Sequence, residues 1–281
     1  MLNNTLIGVD LGGTKIYSGL ITGEKVVKEQ KLPTPTNTKD AVAAIAGAIK
    51  KVYTDGVEGI GIGAPGLIDF STGTILAANN LKFLEGISIK KAMEEEFGIP
   101  VFVNNDANCF VLGEKHFGSG KGYDDVVGLT LGTGLGGGVV INGKLHTGKN
   151  AGAAEFGEIK YKDQTQEYYC SSQFFKNVYN TTGLEVFEKA KAGDNGALKI
   201  FNELGTNIGE AIYTILAMYD PQVVVIGGSI AGSKEFIVDA IHNVLKSFHS
   251  KQAVENLKLE FSTESHVTVL GAAALFYNNK G

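Results

Sequence analysis

Cysteine is almost missing from this chain. The two present, Cys109 and Cys170, lie far apart and outside any C-x-x-C spacing, which excludes a disulfide framework or a compact cysteine cluster and leaves two free thiols suited to a reducing compartment. Long apolar runs are missing too: none reaches the ~20 residues of a membrane span, and no basic segment leads into an apolar stretch at the amino terminus. Excess positive charge is the third absence. The 25 Lys and Arg are outnumbered by 30 Asp and Glu, for a net charge of -5, so nothing indicates a general attraction to nucleic acid or anionic membrane. A cytoplasmic protein with neither partner is expected. Glycine, by contrast, is plentiful: 38 residues, clustered in short runs where backbone turns sharply or approaches a ligand closely.

The pattern between those runs is α/β. Thr5 to Asp10 reads as a buried strand, Leu11 to Thr14 as a turn, Lys15 to Thr22 as the returning strand, and a third strand runs to Leu32. Thr38 is the expected cap of a helix whose apolar face is Ala41, Val42, Ile45, Ala48, Ile49 and Val52. Val57 to Gly63 is a strand, Ser88 to Phe97 a helix, and Pro100 to Asn104 a strand feeding a helix from about Asp106. The second half opens in the same way, with strand Val126 to Leu131, glycine turn Gly132 to Gly138 and return Val139 to Asn142. After an irregular stretch come a long helix from Ala197 to Leu216, strand Val223 to Ile226, a helix around Phe236 to Leu245, and a short helix Gly271 to Tyr277. Two halves of this kind predict a bilobal protein with a ligand cleft, divided into lobes at 1–117 and 118–281, the last helix free to pack back on the first lobe.

Four constellations carry chemistry. Asp10-Leu11-Gly12-Gly13-Thr14-Lys15 is a hairpin turn after a buried strand; paired glycines suit an anion nest, Thr14 adds a donor, and Asp10 suits a magnesium ion held through water. No G-x-x-x-x-G-K-[ST] run occurs, and the glycines lead into a strand rather than a helix, so neither a Walker loop nor a dinucleotide fingerprint applies. Gly132-Thr133-Gly134 stands at the equivalent turn of the second half, and two such turns can grip a polyphosphate. Asn105-Asp106 sits at a strand-to-helix junction, where Asp106 is placed either to cap the helix or to accept a proton from a bound hydroxyl, with Asn105 beside it for neighbouring hydroxyls. Gly227-Gly228 follows a strand and leaves room for a flat ring.

Together these runs resemble the ROK family of repressors, open reading frames and kinases, whose bacterial glucokinases have an actin-like bilobal fold. Asp10 to Lys15 matches its D-x-G-G-T-K phosphate loop, Gly63 to Gly66 its G-x-P-G turn, and Asn80-Leu81 its N-L pair. Asn105 to Asn108 matches its N-D-A-N run, Gly132 to Gly138 its second phosphate loop, and Asp220-Pro221 with Gly227-Gly228 its adenosine-side pairs. The resemblance implies an actin-like ATPase (ribonuclease H-like) fold and phosphoryl transfer from ATP, with Mg, to a hexose hydroxyl, most often the 6-hydroxyl of glucose. Asp106 is then the catalytic base. Gly66, Asn80, Asn105, Asp106, Glu155 and Glu158 hold the sugar, Gly12, Gly13, Thr14, Lys15, Gly132, Thr133 and Gly134 the phosphates, and Gly227 and Gly228 the nucleoside. One stretch departs from the pattern: where the family carries E-x-G-H and a three-cysteine run that bind zinc, this chain has Glu155-Phe156-Gly157-Glu158 and the single Cys170, so no structural zinc is expected. The first strand begins close to the amino terminus, without space for the repressors' DNA-binding domain, and a homodimer is expected as the commonest assembly of soluble enzymes. A sugar-sensing regulator without turnover is the alternative; an ATPase acting on a protein partner is a third.

Overall fold

A computed structural model describes residues 4–278. Three strands open it, β1 (Thr5–Leu11), β2 (Lys15–Thr22) and β3 (Lys25–Pro33). Then come α1 (Thr38–Val52), β4 (Gly59–Ala64), the small hairpin β5 (Leu67–Asp69) and β6 (Thr74–Ala77), α2 (Ile89–Phe97), β7 (Val101–Asn105) and α3 (Asp106–Phe117). They form a five-stranded sheet of order β3-β2-β1-β4-β7, antiparallel through β3, β2 and β1 and parallel from β1 through β4 to β7. The apolar stripe read along α1 is the face that is buried: Ala41, Ile45, Ala48, Ile49 and Val52. Its cap is Asn37 rather than Thr38. Asn37 has extended backbone and its side chain accepts from Asp40 N, whereas the Thr38 hydroxyl is turned away to donate to Phe83 O.

The chain continues through β8 (Val126–Leu131), β9 (Leu135–Ile141), β10 (Lys144–Leu145), the hairpin β11 (Lys160–Tyr161) and β12 (Gln164–Thr165), and three short helices, α4 (Gln166–Cys170), α5 (Gln173–Tyr179) and α6 (Gly183–Lys191). The long α7 (Asn195–Tyr219), β13 (Val223–Gly227), α8 (Lys234–Leu245), α9 (Lys251–Asn256), β14 (Lys258–Phe261) and α10 (Val267–Asn278) complete it. The second sheet runs β10-β9-β8-β13-β14, with β13 parallel to both β8 and β14. Two compact units result. The first comprises the described residues up to Gly122, Gly138–Ala153 and those from Thr263 on; the second is Tyr123–Gly137 with Ala154–Ser262.

Within the first unit α10 lies on α3 and on the sheet at backbone distance. A Cβ on Gly61 would stand 1.7 Å from Ala272 O, and one on Gly271 1.7 Å from Cys109 O, so only glycine permits the approach. The helix starts at Val267, four residues before Gly271, where its expected start lay. Among the described residues no helix is long and apolar enough to cross a membrane.

Candidate active site

In the first unit the carboxyl ends of three neighbouring parallel strands assemble the predicted groups. Asp10 of β1 pairs with Gly63 of β4, Gly63 with Asn104 of β7, and Ala64 with Asn105. The N-cap of α3 is Asn105: its Oδ1 accepts from Ala107 N at 2.8 Å and Asn108 N at 3.1 Å. Its Nδ2 donates to Gly66 O at 3.1 Å, tying the G-x-P-G turn to the helix start and leaving one amide hydrogen for a ligand. Capping is therefore Asn105's task, and Asp106, the first residue of α3, keeps a carboxylate that bonds only to the backbone at the helix start, Oδ1 accepting from Ala107 N at 2.9 Å.

The electrostatics of this corner are those of carboxylates short of water. Solvent reaches the Asp106 side chain, yet crowding by protein raises its pKa, with the bond from Ala107 N pulling the other way. Burial pushes Asp10 up to about 6, and the negative charge of Asp106 adds to the shift. Cys109, buried behind them, is raised well above its usual value by burial first and then by Asp106 and Asp10. Asp10, near the end of β1, and Asp106, just past the end of β7, are close enough for the charge of Asp106 to make ionising Asp10 more costly.

The first glycine turn is closed by Gly12 N donating to Lys15 O at 2.9 Å. Thr34 locks it from outside: its hydroxyl donates to Gly12 O at 2.7 Å and its N to Thr14 O at 3.0 Å. Neither Gly12 nor Gly13 has a left-handed φ. What Gly13 supplies is space, because a Cβ there would stand 3.1 Å from Cβ of Asn80. That contact places the N-L pair against the turn. Gly13, Thr14, Lys15 and Asn80 are exposed.

In the second unit the glycine turn is shorter than expected, since β9 begins at Leu135 and Gly136 to Gly138 lie in the strand. Gly132 N donates to Gly134 O at 3.0 Å, and Ser172 N to Gly132 O at 2.8 Å. Beneath the turn sits Glu167, a residue the sequence reading missed. Its Oε2 accepts from Leu135 N at 3.0 Å, its Oε1 from Gln173 Nε2 at 2.9 Å, and a Cβ on Gly134 would come within 2.4 Å of Oε2. Gly228 takes φ +81 with its Cβ position 2.3 Å from Leu131 O, and Gly227 pairs with Thr130. Ser229, next in sequence, helps to line a cavity of about 370 Å³ with Ser172, Phe175, Leu184, Phe187 and Ile230. Apolar walls with a few hydroxyls suit a flat heterocycle. Glu155 and Glu158 bound a single 3-10 turn, Phe156–Glu158, both exposed, and Gly157 packs on the Leu135 carbonyl. Cys170 is buried, its thiol pushed up to about 12 by desolvation, which is poor preparation for a metal-binding thiolate.

The model of the ROK family matches residues 6–279. A glucokinase of Thermotoga maritima is 30% identical, the match covering 98% of each chain. The crystal structure of a ROK family glucokinase from Streptomyces griseus in complex with glucose and AMPPNP superposes with a TM-score of 0.81 at 30% identity, covering 99% of this chain and 100% of that one. A xylose repressor of Caldicellulosiruptor bescii is 27% identical over 96% of this chain and 77% of that protein.

Proposed function

Because this chain belongs to the ROK family and has its actin-like ATPase fold, we propose that it is an ATP-dependent hexose kinase that transfers the γ-phosphate of ATP to a sugar hydroxyl, the 6-hydroxyl of glucose or a close relative. The observation that carries this reading is the state of Asp106. It follows directly on a parallel strand as the first residue of α3, solvent reaches it, helix capping does not consume it, and its pKa is raised toward the working range of a general base. In the proposed step the sugar hydroxyl gives its proton to the Asp106 carboxylate as its oxygen attacks phosphorus; the bond to ADP breaks and ADP leaves with the electron pair.

Gly66, Asn80, Asn105, Glu155 and Glu158 hold the sugar in this reading, Asn105 through its remaining amide hydrogen. The turns at Gly12 to Lys15 and Gly132 to Gly134 hold phosphates, and Gly227 with Gly228 admits the nucleoside beside the cavity at Ser229. Asp10 fits a magnesium ion bound through water, which when present neutralises phosphate charge. The alternative, a sugar-sensing regulator without turnover, is favoured by one finding, the likeness to a repressor. Release of ADP measured with and without glucose, mannose, fructose and their N-acetylamino relatives decides between them. Hexose-dependent release is expected; hexose binding without release would replace the kinase by the sensor.

A further inference from the structure

The hairpin β11–β12 and α4 sit in the stretch where this chain departs from the family pattern, and a polar side chain from α7 reaches into them. Asn207 is 1% exposed, and every bond it makes goes to this module. Its Oδ1 accepts from Tyr161 Oη at 3.2 Å and from Lys162 Nζ at 2.9 Å, and its Nδ2 donates to Tyr169 O at 3.4 Å. The Lys162 ammonium also stands over two rings, 5.1 Å from the centre of Tyr161 and 4.6 Å from that of Tyr169. Those rings meet edge to face at 5.6 Å, and the Tyr169 hydroxyl donates to Asp163. Lys162 holds φ +53 at the hairpin turn, a conformation that favours Gly or Asn. What lysine adds at this turn is its ammonium, bonded to Asn207 and placed over the two rings.

The module leads to the second glycine turn. Gln166 N donates to Ile159 O at 2.8 Å, joining α4 to the hairpin's entry, and one residue on, Glu167 takes Leu135 N and fills the space at Gly134. We infer that Lys162 and Asn207 form a clasp, an ammonium held by one amide oxygen and two tyrosine rings, that positions Glu167 and so sets the second glycine turn for the phosphoryl donor. Both are positioning residues. The inference rests on the kinase reading for the identity of the donor.

The test is a split of kinetic constants. Lys162→Asn suits the left-handed turn better than lysine and removes the ammonium together with its stem; its KM for ATP rises roughly 10-fold, the scale of one lost charge-assisted contact, while KM for the hexose stays within about 3-fold. Lys162→Arg, which keeps a cation over the rings, restores the ATP constant. Asn207→Leu has the larger effect of the same kind, and if it does not fold, Lys162→Asn decides alone. The rise in Tm caused by AMPPNP reads the donor site without turnover, so a wild type that shows the rise and releases no ADP with any hexose sinks the kinase reading while the clasp is still tested. An unchanged KM and AMPPNP shift in Lys162→Asn overturns the clasp, as does an equal rise in both Michaelis constants.

Discussion

Asp10 and Asp106 each hold a proton more readily than a free carboxyl, and the consequences for activity and stability have opposite signs. Asp10 titrates near 6 in the fold against about 3.9 unfolded, so the native state binds the extra proton between those values and stability falls as pH rises through them. At pH 7 its charge therefore works against folding. The difference corresponds to about 3 kcal/mol, of which solvent screening leaves roughly 1–2. Asp10→Asn is expected to raise Tm at pH 7, to leave it unchanged at pH 4, and, on the proposal that Asp10 holds magnesium through water, to lower kcat; a lower Tm at pH 7 contradicts the assignment of its raised pKa. The acid limb of kcat/KM is expected above the ordinary carboxylate range for the same reason. Of these features the identity of Asp10 and Asp106 is legible in the sequence. Their coupling is not, because 96 positions separate them and only the parallel pairing of β1 with β4 and β4 with β7 brings them to one edge. Thr34 and Glu167 escaped notice for a related reason: each acts on a glycine turn distant in sequence through long-range hydrogen bonds, and no local pattern announces them.

Among the secondary elements, strongly periodic segments could be read directly and short ones could not. The buried face of α1 follows from its spacing, and β1, β2 and the turn between them follow from an apolar run interrupted by two glycines. The helices α4 and α5 have 5 and 7 residues, too few turns for a helical period to stand out. β14, Lys-Leu-Glu-Phe, is a four-residue edge strand with its charges outward. Gly136 to Gly138 read as a turn because glycine runs usually are one; they lie in β9, where glycine is needed because Phe156 and the Ala154 carbonyl occupy the space a side chain at Gly137 would need. The turn after β13 is constrained both in backbone angle and in space. Gly228→Ala forces a side chain into φ +81 and against Leu131 O at 2.3 Å, so β13 must shift from β8. Loss of roughly 1–3 kcal/mol of stability and a KM for ATP raised more than that for the hexose are expected, by denaturant melts and steady-state kinetics. Unaltered stability would mean that the turn is not set by this contact.

Over the whole molecule, the two sheets repeat one plan: an antiparallel glycine-turn pair beside parallel strands, β2-β1-β4 in one and β9-β8-β13 in the other. That repetition, visible as Gly12 and Gly132 opening equivalent turns, made the fold class readable from sequence. The path of the chain was less so, since Gly138–Ala153 and the segment from Thr263 on join the first unit through close backbone packing such as Gly61 on Ala272. The account as a whole stands on Asp106 acting as a base toward a sugar hydroxyl. Asp106→Asn keeps the shape and the bond from Ala107 N but cannot take the proton, so it separates binding from chemistry. The measurement is hexose-dependent ADP release by wild type and Asp106→Asn, with hexose affinity determined calorimetrically on both proteins. A fall in kcat of roughly 10²-fold to 10⁴-fold, with affinity within about 3-fold of wild type, is the predicted result; wild-type turnover in the variant would contradict it.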